Sequence, residues 1–148
     1  MTGFNPAAGG WTPMDNDMMP AGIGTPWRKR YGNTWLYGLL TRPDHANPAG
    51  AVHGGILAAF ADHTLGCYVE AAVDGAPNVT IQLNTHFLAA AVPGSFLELR
   101  GEVTRATGSM VFVRGLIAAG ERDVAAVDGI WRVFRGKARR IDTGATSG

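Results

Sequence analysis

The sequence predicts an α+β fold in which one long helix packs on an antiparallel sheet of five to six strands. Two observations carry that prediction. Residues 54–73 place Ile56, Leu57, Phe60, Ala61, Leu65, Tyr68, Val69 and Ala72 at helical spacing. From residue 78 onward the chain alternates apolar and polar residues between glycine-marked turns, as half-buried strands do. Short turns favour antiparallel neighbours, and a lone helix must cover one face of the sheet they form.

Residues 1–27 are rich in Gly, Pro, Met and Asp without sustained periodicity and read as an irregular arm, with Trp11 and the pair Met18 and Met19 as its docking candidates. The domain proper is expected over residues 28–136. Residues 29–42 carry Trp35, Leu36, Tyr37, Leu39 and Leu40 and read as a first strand, followed by the polar loop RPDHANPAGA. The helix comes next and stops at DGAP, residues 74–77. In NVTIQLNTHFLA, Val79, Ile81 and Leu83 share one side against Thr80, Gln82 and Asn84. FLELRGEVTRAT, MVFVRGLIAAG and DVAAVDGIWRVFR supply three more strands, and the polar residues 137–148 are expected to form a flexible tail.

Composition narrows the function. The 148 residues suffice for one domain with a real core, and a net charge of +1 offers no field to attract nucleic acid or an anionic membrane. Cys67 is the only cysteine, which excludes an intrachain disulfide or a cluster of zinc thiolates; no metal or resident cofactor is expected. The N-terminus lacks the pattern of a signal peptide and no apolar run is long enough to span a bilayer, so a soluble, cytoplasmic protein is expected.

The stretch NPAGAVHGGILAAFADHT, residues 47–64, points to chemistry. Asp62 is the only certain charge between Gly54 and Val69. At about 100° per residue, Gly55, Ala58, Ala59, Asp62 and Gly66 share the face away from the bulky stripe. Small residues around one acid admit a second backbone or a ligand. A carboxylate buried there without a partner costs several kcal/mol or has its pKa raised, so Asp62 is a candidate catalytic group unless a neighbour simply satisfies it. His53-Gly54-Gly55 opens the helix, where unpaired amides and the positive dipole end can stabilise an oxyanion. Gly54 and Asp62 lie eight residues apart, roughly 12 Å along a helix, too far to act on one carbonyl. Two antiparallel copies about a two-fold axis bring them together, and the monomer alone is expected to be inert.

Asn47, His53-Gly54-Gly55 and Asp62, followed by NVTIQLNTHFL and further strands, resemble the hotdog-fold acyl-CoA thioesterases, in particular the PaaI-like branch with the HGG motif. The likeness runs from about Trp35 to Phe134. It implies that Asp62 is the general base or the nucleophile, and that the Gly54 amide polarises the thioester oxygen with Gly55 beside it. It further implies that Asn47 flanks that oxygen or positions the water, that His53 orients the loop near the thioester, and that Thr80 helps place the water. Coenzyme A enters as part of the substrate, and the partner is a second copy, with dimers commonly pairing into tetramers.

The turn between the strands after residue 95 reads Arg105-Ala106-Thr107-Gly108-Ser109, without the Gly-Arg-Ser-like run that family members often place near nucleotide phosphates. Arg105 and Ser109 are its candidates for that contact, with Arg114, Arg132 and Arg135 as alternatives. Phe60, Tyr68, Phe87 and Trp131 are candidates to line an acyl pocket. Two other readings stand beside hydrolysis. One is a non-catalytic acyl-thioester binding dimer. The other is a hotdog hydratase, disfavoured because Gly50 stands where that signature needs histidine.

Overall fold

Residues 29–42 do not form one strand. In the computed structural model, which describes residues 3–136, a hairpin forms there from β2 (Pro26–Tyr31) and β3 (Thr34–Leu40), with Tyr31 opposite Thr34. Gly32-Asn33 makes the two-residue turn, and a Gly-Asn pair between two runs of strand formers is the signal that identifies it. Upstream, a 3-10 turn at Ala7–Gly9 and the short strand β1 (Thr12–Pro13) precede it, and β1 pairs with β2. Trp11 and Met19 are buried, whereas Met18 is exposed. The expected tail, residues 137–148, lies outside the described residues.

The remaining elements are α1 (Gly54–Ala72), β4 (Asn78–Phe87), β5 (Phe96–Ala106), β6 (Met110–Ala119) and β7 (Arg122–Val133). They complete a seven-stranded antiparallel sheet in the order β1-β2-β3-β5-β6-β7-β4, more strands than expected. β5, β6 and β7 form the anticipated meander through the turns at 107–109 and 120–121. β4 does not join it as β5's neighbour: it pairs with β7 at the far edge, and β5 lies against β3. The reason is the length of Leu88–Ser95. Eight extended residues reach about 26 Å, ample for the three strand spacings, about 14 Å, from β4 to β5. This crossing is held by Val52 N–H donating to Ala91 O (2.8 Å) and by Thr41 Oγ1 donating to Ser95 O (2.7 Å).

The sheet wraps α1, which buries Leu57, Phe60, Ala61, Thr64, Leu65, Tyr68 and Val69 against Leu97, Leu99, Val111, Val113, Ile117, Val127 and Trp131. Paired Gly101 and Gly115 let the helix come this close: a Cβ on Gly101 would sit 2.7 Å from Tyr68 Cε2. The Tyr68 hydroxyl donates to Trp35 O and accepts from Gly101 N–H (3.1 Å), bridging β3 and β5; burial holds its pKa above the usual tyrosine value. No helix among the described residues is long and apolar enough to cross a membrane.

Candidate active site

The loop before α1 is built to fix the helix start. His45 is buried, its Nδ1 accepting from Arg42 N–H (3.1 Å) and its Nε2–H donating to Gly22 O (2.9 Å). Its own carbonyl then receives His53 N–H at 2.8 Å. Sequence reading passed over His45 because its partner Gly22 belongs to the arm, 23 residues away. Asn47 Oδ1 accepts from Ala49 N–H (3.0 Å) and Ala51 N–H (3.1 Å), an Asx-type turn closed by Asn47 N–H to Ala51 O (2.7 Å). With Oδ1 occupied, the Asn47 side chain has only its Nδ2 donors left to offer a ligand.

His53 is the N-cap of α1, its Nδ1 accepting from Gly55 N–H at 2.9 Å. The neutral ring therefore carries its proton on Nε2. Ile56 and Leu57 N–H both donate to His53 O. Gly55's amide is thus consumed by the cap, and of the opening amides Gly54 N–H alone has no acceptor among the described residues. A side chain at Gly54 would press on Phe87, 3.1 Å from its ring, and one at Gly55 would crowd His53 Nδ1 at 3.1 Å. Each glycine of the motif has its own reason.

Asp62 is half-buried, and its Oδ1 accepts from Thr80 Oγ1 at 2.7 Å. Its other oxygen has no partner among the described residues, and no fully buried side-chain oxygen there is unpaired, so Oδ2 is open to solvent. The alternation expected along β4 changes phase. A bulge between Thr80 and Gln82 turns Thr80 toward the helix and leaves Val79 (39%) and Ile81 (55%) exposed, while Leu83 packs on the core. One extra residue inverts the parity of a strand, which an alternation pattern alone does not reveal.

Asp62 and Gly54 do not meet in the chain. β4 runs beside both, touching Asp62 through Thr80 near its start and Gly54 through Phe87 at its end. Arg105 and Ser109 are exposed on the β5–β6 hairpin, at the end of the sheet where Thr80 faces Trp131 and Trp131 faces Val111. Arg132 pairs with Met110 there, and Arg135 Nε donates to Gly108 O at 3.0 Å. Arg114 is not a free anion ligand, since it is held by Glu102 at 2.6 Å. Of the four aromatic pocket candidates, Phe60, Tyr68 and Trp131 belong to the core; Phe87, 58% exposed, lies at the site. A cavity of about 810 Å³ over Tyr68, Gly101 and Arg100 touches neither Asp62 nor Gly54.

Comparison with known proteins identifies the family. Residues 49–126 match the thioesterase superfamily. "Putative esterase PA0474" of Pseudomonas aeruginosa is 32% identical over 90 residues, which cover 60% of this chain and 67% of the relative. The BH2602 protein of Bacillus halodurans, solved with CoA, superposes with a TM-score of 0.62 at 28% identity, covering 67% of this chain and 66% of its own. A phenylacetic acid degradation-related protein of Ralstonia eutropha gives 0.64 at 26% identity, covering 89% and 92%. The E. coli PaaI protein, at 18% identity and a TM-score of 0.60 over 69% and 73% of the two chains, shares the fold. The chain belongs to the thioesterase superfamily and has its hotdog fold.

Proposed function

We propose that this chain is an acyl-CoA thioesterase that hydrolyses a thioester to a free acid and coenzyme A at a site shared between two subunits. The layout of β4 carries this reading. It is an edge strand, with Val79, Ile81 and Phe87 exposed along it. Unpaired edges with apolar side chains favour pairing with another strand. Antiparallel pairing with its own copy centred on Asn84 sets position 80 opposite position 87, once the extra residue of the bulge between Thr80 and Gln82 is counted. Because Thr80 holds Asp62 and Phe87 lies on Gly54, Asp62 of one subunit then faces Gly54 of the partner subunit. The resemblance to the PaaI-like branch adds a tetramer of two such dimers.

In this reading the thioester oxygen sits at the unpaired Gly54 amide, with Asn47 Nδ2 and the His53 Nε2–H as neighbouring donors. Asp62, oriented by Thr80, takes a proton from water as the water oxygen bonds to the carbonyl carbon. Collapse of the oxyanion breaks the C–S bond, and Asp62 returns its proton to the sulfur so that coenzyme A leaves as the thiol. If Asp62 attacks instead, a mixed anhydride forms and water opens it to the same products. No metal or resident cofactor takes part. Arg105 and Ser109, with Arg132 and Arg135 beside them, supply exposed donors for the coenzyme A phosphates, and BH2602, which was solved with CoA, makes that carrier the first to try.

Thiol release from aryl, short-chain and long-chain coenzyme A esters tests the reading and identifies the acyl group. Asp62→Asn is expected to lose about 10²–10⁴-fold in rate while the dimer stays folded. Full activity in that variant refutes the assigned role. Ligand binding without thiol release points to the non-catalytic dimer, and a changed acyl chain on intact thioester points to a hydratase.

A further inference from the structure

A second cluster of reactive side chains lies on a different face of α1. His63 and Cys67 are one turn apart on that helix and so share a face. The arm brings Asp17 to them: Asp17 N–H donates to Met14 O (3.0 Å), Met14 is itself tied to Pro26 O (2.9 Å), and Met19 is buried just beyond. His63 Nε2–H donates to Asp17 Oδ2 at 2.6 Å, and the Cys67 thiol donates to His63 O at 3.4 Å. The imidazole nitrogen, the carboxylate oxygen and the sulfur all lie within 4.8 Å of one another, and all three residues are half-buried. Asp17 and Cys67 open on a cavity of about 370 Å³ that Glu70 and Arg28 also line.

We propose that Asp17, His63 and Cys67 bind one zinc-type divalent cation that fastens the arm to the helix. One nitrogen, one oxygen and one thiolate suit a borderline-soft ion and not calcium or magnesium, which take oxygen ligands. Tetrahedral zinc with bonds of about 2.0–2.3 Å keeps its ligands about 3.3–3.7 Å apart. Asp17 and His63 must therefore part by about 1 Å and Cys67 close by a similar amount, which side-chain rotation provides. Three protein ligands leave a fourth position to water or to Glu70, which lines the same cavity as Asp17 and Cys67. On binding, the thiol proton leaves to solvent, and the imidazole ligates through Nε2 with its proton on Nδ1. The carboxylates of Asp17 and Glu70 line the cavity beside Cys67 and favour a cation there, with Arg28 opposing. The site is independent of the thioesterase reading. It escaped sequence analysis because Asp17 lies 46 residues from His63.

The test is titration of the metal-free full-length protein with Zn²⁺ against a chromophoric chelator, with Co²⁺ as the spectroscopic probe. One ion per chain is expected, with tetrahedral cobalt bands and a thiolate-to-cobalt charge-transfer band. Cys67→Ser is expected to abolish the charge-transfer band, and Asp17→Asn to keep it while weakening zinc binding at least about tenfold. Circular dichroism of both metal-free variants verifies that they remain folded. Zinc at about a hundredfold its Kd is expected to raise the Tm of the parent by roughly 5–10 °C. Absence of stoichiometric binding, or zinc affinity unchanged in both variants, overturns the proposal and leaves the cluster an ion pair beside a thiol.

Discussion

Gly54→Pro isolates the one amide that the shared site requires. Gly54 is the first residue of α1, the position where proline is best tolerated, since it gives up no helical hydrogen bond. The preceding His53 already has φ −59° and ψ 135°, the extended conformation that a residue before proline adopts. The ring's main cost is contact with Phe87, 3.1 Å from the position of a Cβ and on the exposed surface, where it can shift. Losing a single oxyanion donor typically costs about 10²–10³-fold in kcat. Gly54→Pro and Asp62→Asn are thus each close to inert. When the two chains are co-expressed, about half of the dimers are mixed, and each mixed dimer holds one site with both groups intact and one with neither. About a quarter of wild-type activity should return in the statistical mixture, and about half in mixed dimers purified through two different affinity tags. Thiol release from a coenzyme A ester, normalised to active dimer, reads this directly. Activity no greater than the average of the two parents, in verified mixed dimers, refutes the shared site.

Thr80→Val keeps the side-chain shape but removes the hydroxyl that donates to Asp62 at 2.7 Å. Hydrogen bonds to a charged group contribute about 1.5–3 kcal/mol, so kcat is expected to fall about ten- to a hundredfold in steady-state assays with little change in KM. Ile81→Glu places a charge on the exposed edge of β4, where Ile81 is 55% exposed, and is expected to yield an inactive monomer by light scattering. An active dimer would show that β4 is not the interface. Leu65→Ala empties a site with no solvent exposure between α1 and the sheet, and chemical denaturation is expected to show a loss of about 3–5 kcal/mol.

The helix and the strands from residue 78 onward were legible in the linear chain because each depends on local pattern. Helical spacing of apolar residues marked α1 almost to its ends, and the HGG triplet ahead of it marked the capped terminus, where His53 does bind Gly55 N–H. The eight-residue separation of Gly54 and Asp62 already forbade their meeting within one chain, since helical rise is a property of the backbone. What depended on distant partners was hidden. The Gly32-Asn33 turn carried a local signal and was still read through, whereas β4's place beside β7 follows from a crossing whose length permits several destinations. Alternation in β4 suggested Ile81 as a core residue, and the bulge placed it outside; only pairing against β7 creates that bulge. Sequence by itself determined which groups could do chemistry, because periodicity and side-chain type are read one residue at a time. Tertiary structure decided which of them touch: Thr80 with Asp62, Phe87 with Gly54, and Asp17 with His63 and Cys67. Those contacts join segments far apart in the chain, and they form only when burial of a common core brings the segments together.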